Sequence, residues 1–309
     1  MADLSGRAVR LLTRRFRAPG RRAVFVLAVL SASGCAGGLS ALKQQPAGWE
    51  DRLSGNAIVL LGEVHDNAEQ HRLRLATLRR AMARGWRPAI AMEQFDADRQ
   101  ADIDRARRER PGDAAYLVAQ AAPPSSGWEW LYYGPVVALA LEYDLPLIAA
   151  NLPRATTRRL VQTGYAEALG ADRAAELGLT RPVADDWRAA QEQAVDEGHC
   201  GALPAAALPG MARAQLARDA LMAGLIARHA DRGVVLLAGN GHVRRDIGVP
   251  RWLRETHHVA SDRIWTVGFV EAATTPGIRG AFDAAVVGPA VARADPCEPF
   301  LTRRPGPAS

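Results

Sequence analysis

Short apolar segments alternate with longer amphipathic segments along most of the chain. The apolar runs are mostly six or seven residues long, and the first four of them end in glycine or a polar residue. Runs of this length and character are typical of parallel strands that are buried on both faces. The predicted strands are 56–62, 88–93, 146–151, 233–239, 264–270 and 282–287.

Apolar residues at helical spacing fill the stretches between these strands. Residues 111–127, which contain Pro123-Pro124, predict a break, and residues 153–209 carry no strand signal. We therefore expect residues 153–209 to form a helical subdomain inserted over the sheet. Strands that alternate with helices indicate an α/β fold with a mostly parallel central sheet flanked by helices. The other predicted helices are 68–84, 96–110, 128–143, 210–230 and 249–256.

The first 34 residues predict an export signal. An arginine-rich region ends at Arg22, and the apolar stretch 23–32 is about half the ~20 residues that a membrane-spanning helix needs. The sequence Ala32-Ser33-Gly34-Cys35 resembles a bacterial lipobox, although leucine is more usual at the position of Ala32. We expect lipidation at Cys35 and a lipid anchor in a bacterial membrane, facing the periplasm, with the outer membrane favoured. The alternative is an ordinary secretory signal with an incidental cysteine.

The chain is therefore predicted to have four parts. Residues 1–34 are the signal peptide, 35–53 a tether, 54–290 the α/β domain and 291–309 a flexible tail.

The basic net charge belongs to the leader. Residues 1–34 contain seven arginines and one acid, a net charge of +6, which equals the net charge of the whole chain. The remaining residues are therefore neutral overall, which gives no support to a nucleic-acid-binding surface.

Cys200 and Cys297 are the other two cysteines. They either form a disulfide in an oxidising compartment or remain two thiols. No Cys-x-x-Cys-His sequence is present, which excludes covalent haem attachment of the cytochrome c type.

Polar side chains follow each of the first four predicted strands. Two of these segments share the pattern Gly-x-x-His, at Gly62–His65 and Gly239–His242, while Glu93-Gln94 and Asn151 end the strands between them. Ligands of parallel α/β sheets bind beyond the carboxyl ends of the strands. We therefore expect one polar site built from all four strand ends.

Carboxylates and imidazoles in this set are able to bind a divalent metal. Glu63, His65, Glu93 and His242 suit zinc, manganese, cobalt or ferrous iron. In a metal-dependent hydrolase, Glu63 or Glu93 would be the general base that acts on a metal-bound water.

The same segments, with others in the same order, resemble the ChaN-like haem-binding lipoprotein family. That family belongs to a superfamily with Tiki proteases, TraB-like proteins and erythromycin esterases, and the resemblance covers about residues 54–290. The segments that carry it are Leu60–Asn67 with His71, Met92–Phe95, Trp128–Trp130 with Tyr133 and Pro135, Ala150–Arg154, His199–Gly201, Gln215–Ala220 with Met222, and Gly239–His242 with Gly248–Pro250.

The resemblance implies a haem-binding protein of iron uptake, with haem held at a dimer contact. Tyr133 is the tyrosine that fits the family's aromatic motif as an iron ligand, and Tyr132 competes with it. Arg154 is a candidate partner for a haem propionate. The other candidate haem contacts are His199, Met211 and Met222. A haem-binding homodimer is thus the first hypothesis, and a metal-dependent hydrolase is the alternative.

Overall fold

The computed structural model describes residues 48–122, 127–271, 280–295 and 297–298. The predicted signal peptide, most of the predicted tether including Cys35, and the chain from residue 299 onward lie outside the described residues. Within the described ranges, no helix is both long enough and apolar enough to cross a membrane.

Six strands alternate with α-helices in the described part of the chain. The N-terminal half contains β1 (Ile58–Leu61), α1 (Ala68–Ala83), β2 (Ala89–Asp96), α2 (Gln100–Glu109), α3 (Ala114–Ala121), α4 (Trp130–Glu142) and β3 (Leu147–Asn151). The remainder contains α5 (Arg154–Gln162), α6 (Tyr165–Leu169), α7 (Ala171–Glu176), α8 (Asp185–Gly198), α9 (Leu208–Ala227), β4 (Val234–Leu237), α10 (Asn240–Val243), α11 (Val249–Glu255), β5 (Ile264–Glu271) and β6 (Ala284–Gly288).

All six strands belong to one parallel sheet, in the order β3-β2-β4-β1-β5-β6. The strand β4 comes late in the sequence but lies between β1 and β2. Because parallel strands end at the same edge, the segments that follow β1, β2 and β4 meet there. The segments after β1 and β4 carry the two Gly-x-x-His elements, and Glu93 lies near the end of β2.

Helices cover both faces of the sheet. Successive residues of a strand point to opposite faces, so each strand packs against both helical layers. Ile58 and Leu60 of β1 pack with α9 on one face, whereas Val59 and Leu61 pack with α1 and α4 on the other. Since neither face of the strand meets water, β1 is a continuous apolar run rather than an alternating one.

The predicted fold class and the six predicted strands are confirmed. The strand β2 continues three residues beyond the predicted end, through Gln94 and Phe95 to Asp96. The predicted break at 111–127 is wrong in part, because it contains α3, whose first turn is capped by the Asp113 side chain. The segment 153–209 contains α5 to α8 and no strand among its described residues.

The tail is predicted to be flexible from residue 291, and its described part contacts the body at two places. Arg293 forms ion pairs with Asp66, in the loop after β1, and with Glu271, at the end of β5. Cys297 forms a disulfide with Cys200, so the two cysteines are paired. Both attachments hold the start of the tail against the body.

Candidate functional site

The two Gly-x-x-His elements pack against each other at the carboxyl edge of the sheet. A Cβ atom on Gly62 would lie 2.2 Å from Oδ1 of Asn240, and one on Gly239 would lie 2.9 Å from Nε2 of His65. Each glycine therefore leaves space for a side chain of the other element. The backbone N–H of Asn240 also donates to the carbonyl of Glu63, at 3.1 Å. The structure thus brings the two elements into one site.

Glu63 is the buried centre of the first half of this site. Its Oε1 accepts hydrogen bonds from the Tyr133 hydroxyl at 2.6 Å and from His65 Nδ1 at 2.8 Å. Its Oε2 forms an ion pair with the guanidinium of Arg74, which is as buried as the carboxylate. Burial raises the pKa of Glu63, but Arg74 and the His65 hydrogen bond outweigh it and lower the pKa to about 2. Glu63 is therefore ionised and accepts hydrogen bonds only.

His65 lies between this carboxylate and solvent. Its side chain is 47% exposed, and its ring meets the Trp128 ring edge to face with centroids 4.9 Å apart. Burial lowers the pKa of His65, but the hydrogen bond to Glu63 and the charge of Glu93 raise it above its usual value. The imidazole is thus oriented at one nitrogen and accessible to solvent.

Glu93 is the corresponding buried carboxylate in the second half of the site. It pairs with Arg218 of α9 through Oε1, and its Oε2 accepts the backbone N–H of Gly239 at 2.7 Å. Arg218 also donates to Oδ1 of Asn151 at 3.0 Å, which brings the end of β3 into the site. Burial raises the pKa of Glu93, but His242 and Arg218 hold it well below the usual value.

His242 is buried between two carboxylates. Its Nδ1 lies 2.5 Å from Oδ1 of Asp219, and its Nε2 lies 3.5 Å from Oε1 of Glu93. Burial and Arg218 lower the pKa of His242, but Asp219 and Glu93 outweigh them and raise it to about 9. His242 is therefore an imidazolium at neutral pH.

A cleft of about 630 Å³ opens above both halves of the site. Its lining includes Gln191 of α8, His199 directly after α8, and Gln215 of α9. All four residues of the predicted metal set line this cleft, together with Arg218 and Asp219.

The four residues predicted to hold a metal do not form a metal centre. Among the described residues, no group of three or more His, Cys, Asp or Glu side chains is arranged to hold an ion. Arginines neutralise both Glu63 and Glu93, and His242 carries a proton at neutral pH where a ligand needs a lone pair. The described residues therefore give no support to the prediction of zinc, manganese or cobalt bound there.

Tyr133 does not fit the role of an iron ligand. It is 1% exposed, and its hydroxyl donates to Glu63. Burial and the nearby Glu63 charge raise the pKa of Tyr133 far above its usual value, which opposes the phenolate form. Tyr132, its neighbour, is half-buried and stacks on His71 with ring centroids 4.7 Å apart. The Tyr132 hydroxyl has no hydrogen bond to another described residue.

The remaining predicted haem contacts lie in different places. His199 lines the cleft, whereas Met222 is fully buried in the core and does not line it. Met211 is half-buried near the start of α9 and does not line the cleft. Arg154 is exposed at the first residue of α5 and has no ion pair with another described residue.

Arg74, which neutralises Glu63, was not among the residues predicted from the sequence. The signal was present in α1, where Arg74 shares the buried face with His71 and Leu78. A charged residue on an apolar helical face needs a buried partner, and the nearest candidate was the carboxylate after β1. Asp219, which lies within the segment Gln215–Ala220, is the partner of His242.

Comparisons with known proteins agree with this fold. The family described as "Haem-binding uptake, Tiki superfamily, ChaN" matches residues 49–253. A solved structure of ChaN of Campylobacter jejuni, described as showing cofacial haem binding, is 18% identical, with a TM-score of 0.59 over 76% of this chain and 89% of that one. A mutant of the erythromycin esterase EreC in its open conformation is 16% identical, with a TM-score of 0.43 over 79% of each chain. A comparison with curated proteins finds no match.

Proposed function

Because the chain belongs to the haem-binding uptake family of the Tiki superfamily that includes ChaN, we propose that it is an exported lipoprotein that binds haem for iron uptake. The family match over residues 49–253 is the observation that carries haem binding. The described fold, which is similar to that of Campylobacter jejuni ChaN, supports it.

The proposed haem surface is the N-terminal end of α4. Leu131 is 80% exposed there, one of two large hydrophobic residues exposed in the described structure. Trp128 and Tyr132 flank it with half-buried aromatic rings, which suit the flat apolar face of a porphyrin. When bound, haem would supply an iron that a side-chain oxygen can coordinate. Tyr132 is the proposed ligand, since its hydroxyl is not engaged by another described residue.

Arg154 is the proposed partner of a haem propionate. Its guanidinium is exposed and has no carboxylate partner among the described residues, so it is available to an anionic group.

A second copy of the chain is proposed to cover the other face of the haem. A water-exposed leucine beside aromatic rings is the type of surface that association buries. If so, addition of haemin shifts the protein from monomer to dimer in analytical ultracentrifugation. Replacement of Leu131 by Asp weakens that shift, while replacement of the exposed Val161, on α5, by Asp does not.

Export is supported by the disulfide between Cys200 and Cys297, because such bonds persist in oxidising compartments. The proposed anchor is a lipid on Cys35, in a membrane facing the periplasm and most simply the outer membrane. Labelling of cells with a radioactive fatty acid should mark the protein, and Cys35→Ala should abolish the label.

Haemin titration followed by absorbance tests haem binding. We expect a Soret shift that saturates, and Tyr132→Phe should weaken binding by about tenfold or more, which is about 1.4 kcal/mol. Tyr133→Phe should leave the Soret position unchanged. Tyr143→Phe is the matched control, because Tyr143 lies at the other end of α4 beneath Arg87.

Two results would count against these assignments. Absence of any Soret shift overturns haem binding by this chain. Equal affinities of Tyr132→Phe and Tyr143→Phe overturn the assignment of the ligand.

A further inference from the structure

The loop between α8 and α9 presents an apolar surface to solvent. Every residue from 202 to 211 is alanine, leucine, proline, glycine or methionine, and none of them is fully buried. The most exposed members are Pro204, Ala205, Ala206 and Pro209. The nearest Asp, Glu, Lys or Arg residues along the chain are Glu197 and Arg213. A contiguous apolar surface of this kind marks an interaction site.

Helix α5 packs directly beside this loop. A Cβ atom on Gly210 would clash with the carbonyl oxygen of Val161 and would lie 3.4 Å from Cγ1 of the same residue. Arg213 of α9 donates to the carbonyl oxygens of Leu160 and Thr163. Because the Val161 side chain is 36% exposed, it extends the apolar surface of the loop. The loop and α5 therefore form one continuous surface.

Helix α5 adds positive charge to this surface. It contains Arg154, Arg158 and Arg159 and no acidic residue, whereas the chain after the leader is neutral overall. All three arginines are exposed, and none has an ion pair with another described residue. Arg159 donates to Thr156 and to the carbonyl oxygen of Ala168, while Arg158 has no hydrogen bond with another described residue. This uncompensated charge complements an anionic partner.

We propose that residues 202–211 and the exposed side of α5 dock on an anionic phospholipid membrane. The apolar loop enters the headgroup region, and Arg158 and Arg159 pair with lipid phosphates, a combination that holds proteins at membrane interfaces. Arg154, at the start of α5, stays available to a haem propionate. The docking depends neither on haem binding nor on the lipid proposed at Cys35.

The composition of the surface favours lipid over a protein partner. Protein interfaces are anchored by buried aromatic side chains, and neither residues 202–211 nor α5 contains an aromatic residue. A lipid surface also requires that backbone polar groups are satisfied within the protein. Pro204 and Pro209 have no N–H, and the N–H of Ala207 donates to the carbonyl oxygen of Pro204 at 2.8 Å.

The test measures the polarity around one exposed alanine of the loop. The full chain carries Cys35→Ala, so that an introduced cysteine is the reactive thiol beside the native disulfide. Ala206→Cys is labelled with the fluorophore NBD and mixed with vesicles of phosphatidylcholine, alone or with phosphatidylglycerol. We expect the emission to shift to shorter wavelength with the anionic vesicles only.

Ala101→Cys is the matched control for the position of the label. Ala101 is also an exposed alanine, but it lies on α2, which packs on the opposite face of the sheet from α5 and α9. Its label should not shift with either kind of vesicle. Residues 1–34 are the same in both labelled chains, so they do not contribute to the difference.

Arg158→Gln, in the chain labelled at residue 206, tests the charge. One arginine near an anionic membrane is worth about a fivefold change in affinity, so the lipid concentration at half-maximal shift should rise about fivefold. Arg108→Gln is the matched control, because Arg108 is exposed on α2 and has no ion pair with another described residue. It should leave the half-maximal concentration unchanged. Added salt should weaken the docking of the unsubstituted chain.

The proposal is overturned if the label at residue 206 does not shift with anionic vesicles, or if it shifts equally with both kinds of vesicle. Equal shifts at residues 206 and 101, or equal losses for Arg158→Gln and Arg108→Gln, also overturn it. A shift without vesicles that grows with protein concentration would assign the surface to a second copy of the chain instead. Arg158→Gln should keep the haemin titration of the wild-type chain, so a failure of docking leaves the proposed haem binding standing.

Discussion

Replacement of Arg74 by Met would remove the buried cation that neutralises Glu63 while keeping a similar apolar volume. Both partners have side chains about 1% exposed, so neither charge could turn to solvent after the substitution. A buried ion pair that loses one partner typically destabilises a protein by about 3–5 kcal/mol. We therefore expect Arg74→Met to lower the free energy of unfolding at pH 7 by an amount in this range.

The pKa of Glu63 gives an independent magnitude of the same order. Its fall from 4.5 to about 2 on folding corresponds to about 3 kcal/mol of stabilisation. The folded-state pKa is lowered, so this stability is present above pH 4.5 and is lost as the pH falls towards 2. Without Arg74, burial dominates and raises the pKa of Glu63. The difference between wild type and variant should therefore shrink below pH 4.5.

Urea denaturation followed by tryptophan fluorescence, at pH 7 and at pH 3.5, measures both effects. Arg79→Met is the matched control, because Arg79 is on the same helix and pairs with Glu142 where both side chains are about half exposed. Such a surface pair contributes roughly 0–1 kcal/mol. Equal losses for the two variants at pH 7, or a loss for Arg74→Met that is unchanged at pH 3.5, would refute the reasoning.

Three further predictions follow from single contacts. Burial lowers the pKa of His242, but the charge of Asp219 helps to raise it to about 9. Protonated His242 therefore stabilises the fold fully below pH 6.5, and this stabilisation is lost as the pH rises through 9. NMR titration of labelled histidine should show a pKa of about 9 for His242, and Asp219→Asn should lower that pKa. Removal of the disulfide by Cys200→Ser with Cys297→Ser should cost about 2–5 kcal/mol in urea denaturation, because it closes a loop of 97 residues; an unchanged midpoint under oxidising conditions would contradict this. Gly239→Ala should lower the midpoint of urea denaturation, because the added Cβ would lie 2.9 Å from Nε2 of His65; an unchanged midpoint would show that this close packing tolerates a methyl group.

The sheet could be predicted from the sequence because its strands are buried on both faces. The segment Ile58–Leu61 is apolar at every position, as a strand between two helical layers must be. The helix α3 was missed because its eight residues lie between proline-containing segments. Asp113 is a residue type that often caps the start of a helix, and this single capping residue was the signal for α3 in the sequence.

The candidate site could be located from the sequence, but the state of its side chains could not. The two Gly-x-x-His elements and Glu93 were expected to meet because parallel strands end at one edge. The sequence alone did not show that Arg74 and Arg218 form ion pairs with the two glutamates.

Tyr132 and Tyr133 also show which properties of the site the sequence could predict and which it could not. Both belong to the aromatic segment that the sequence singled out, and nothing in the order of residues distinguishes them. A step of one residue along a helix turns the side chain by about 100°. The Tyr133 ring is therefore buried and hydrogen-bonded to Glu63, while the Tyr132 ring stays half-buried at the surface.

The sequence by itself determined the fold class, the strands and the edge at which polar groups meet, because these depend on the periodicity of local residues. Only the tertiary structure decided which charges neutralise each other and which imidazole remains free, because those pairings join residues that are far apart in the chain, such as Glu93 and Arg218, 125 positions apart.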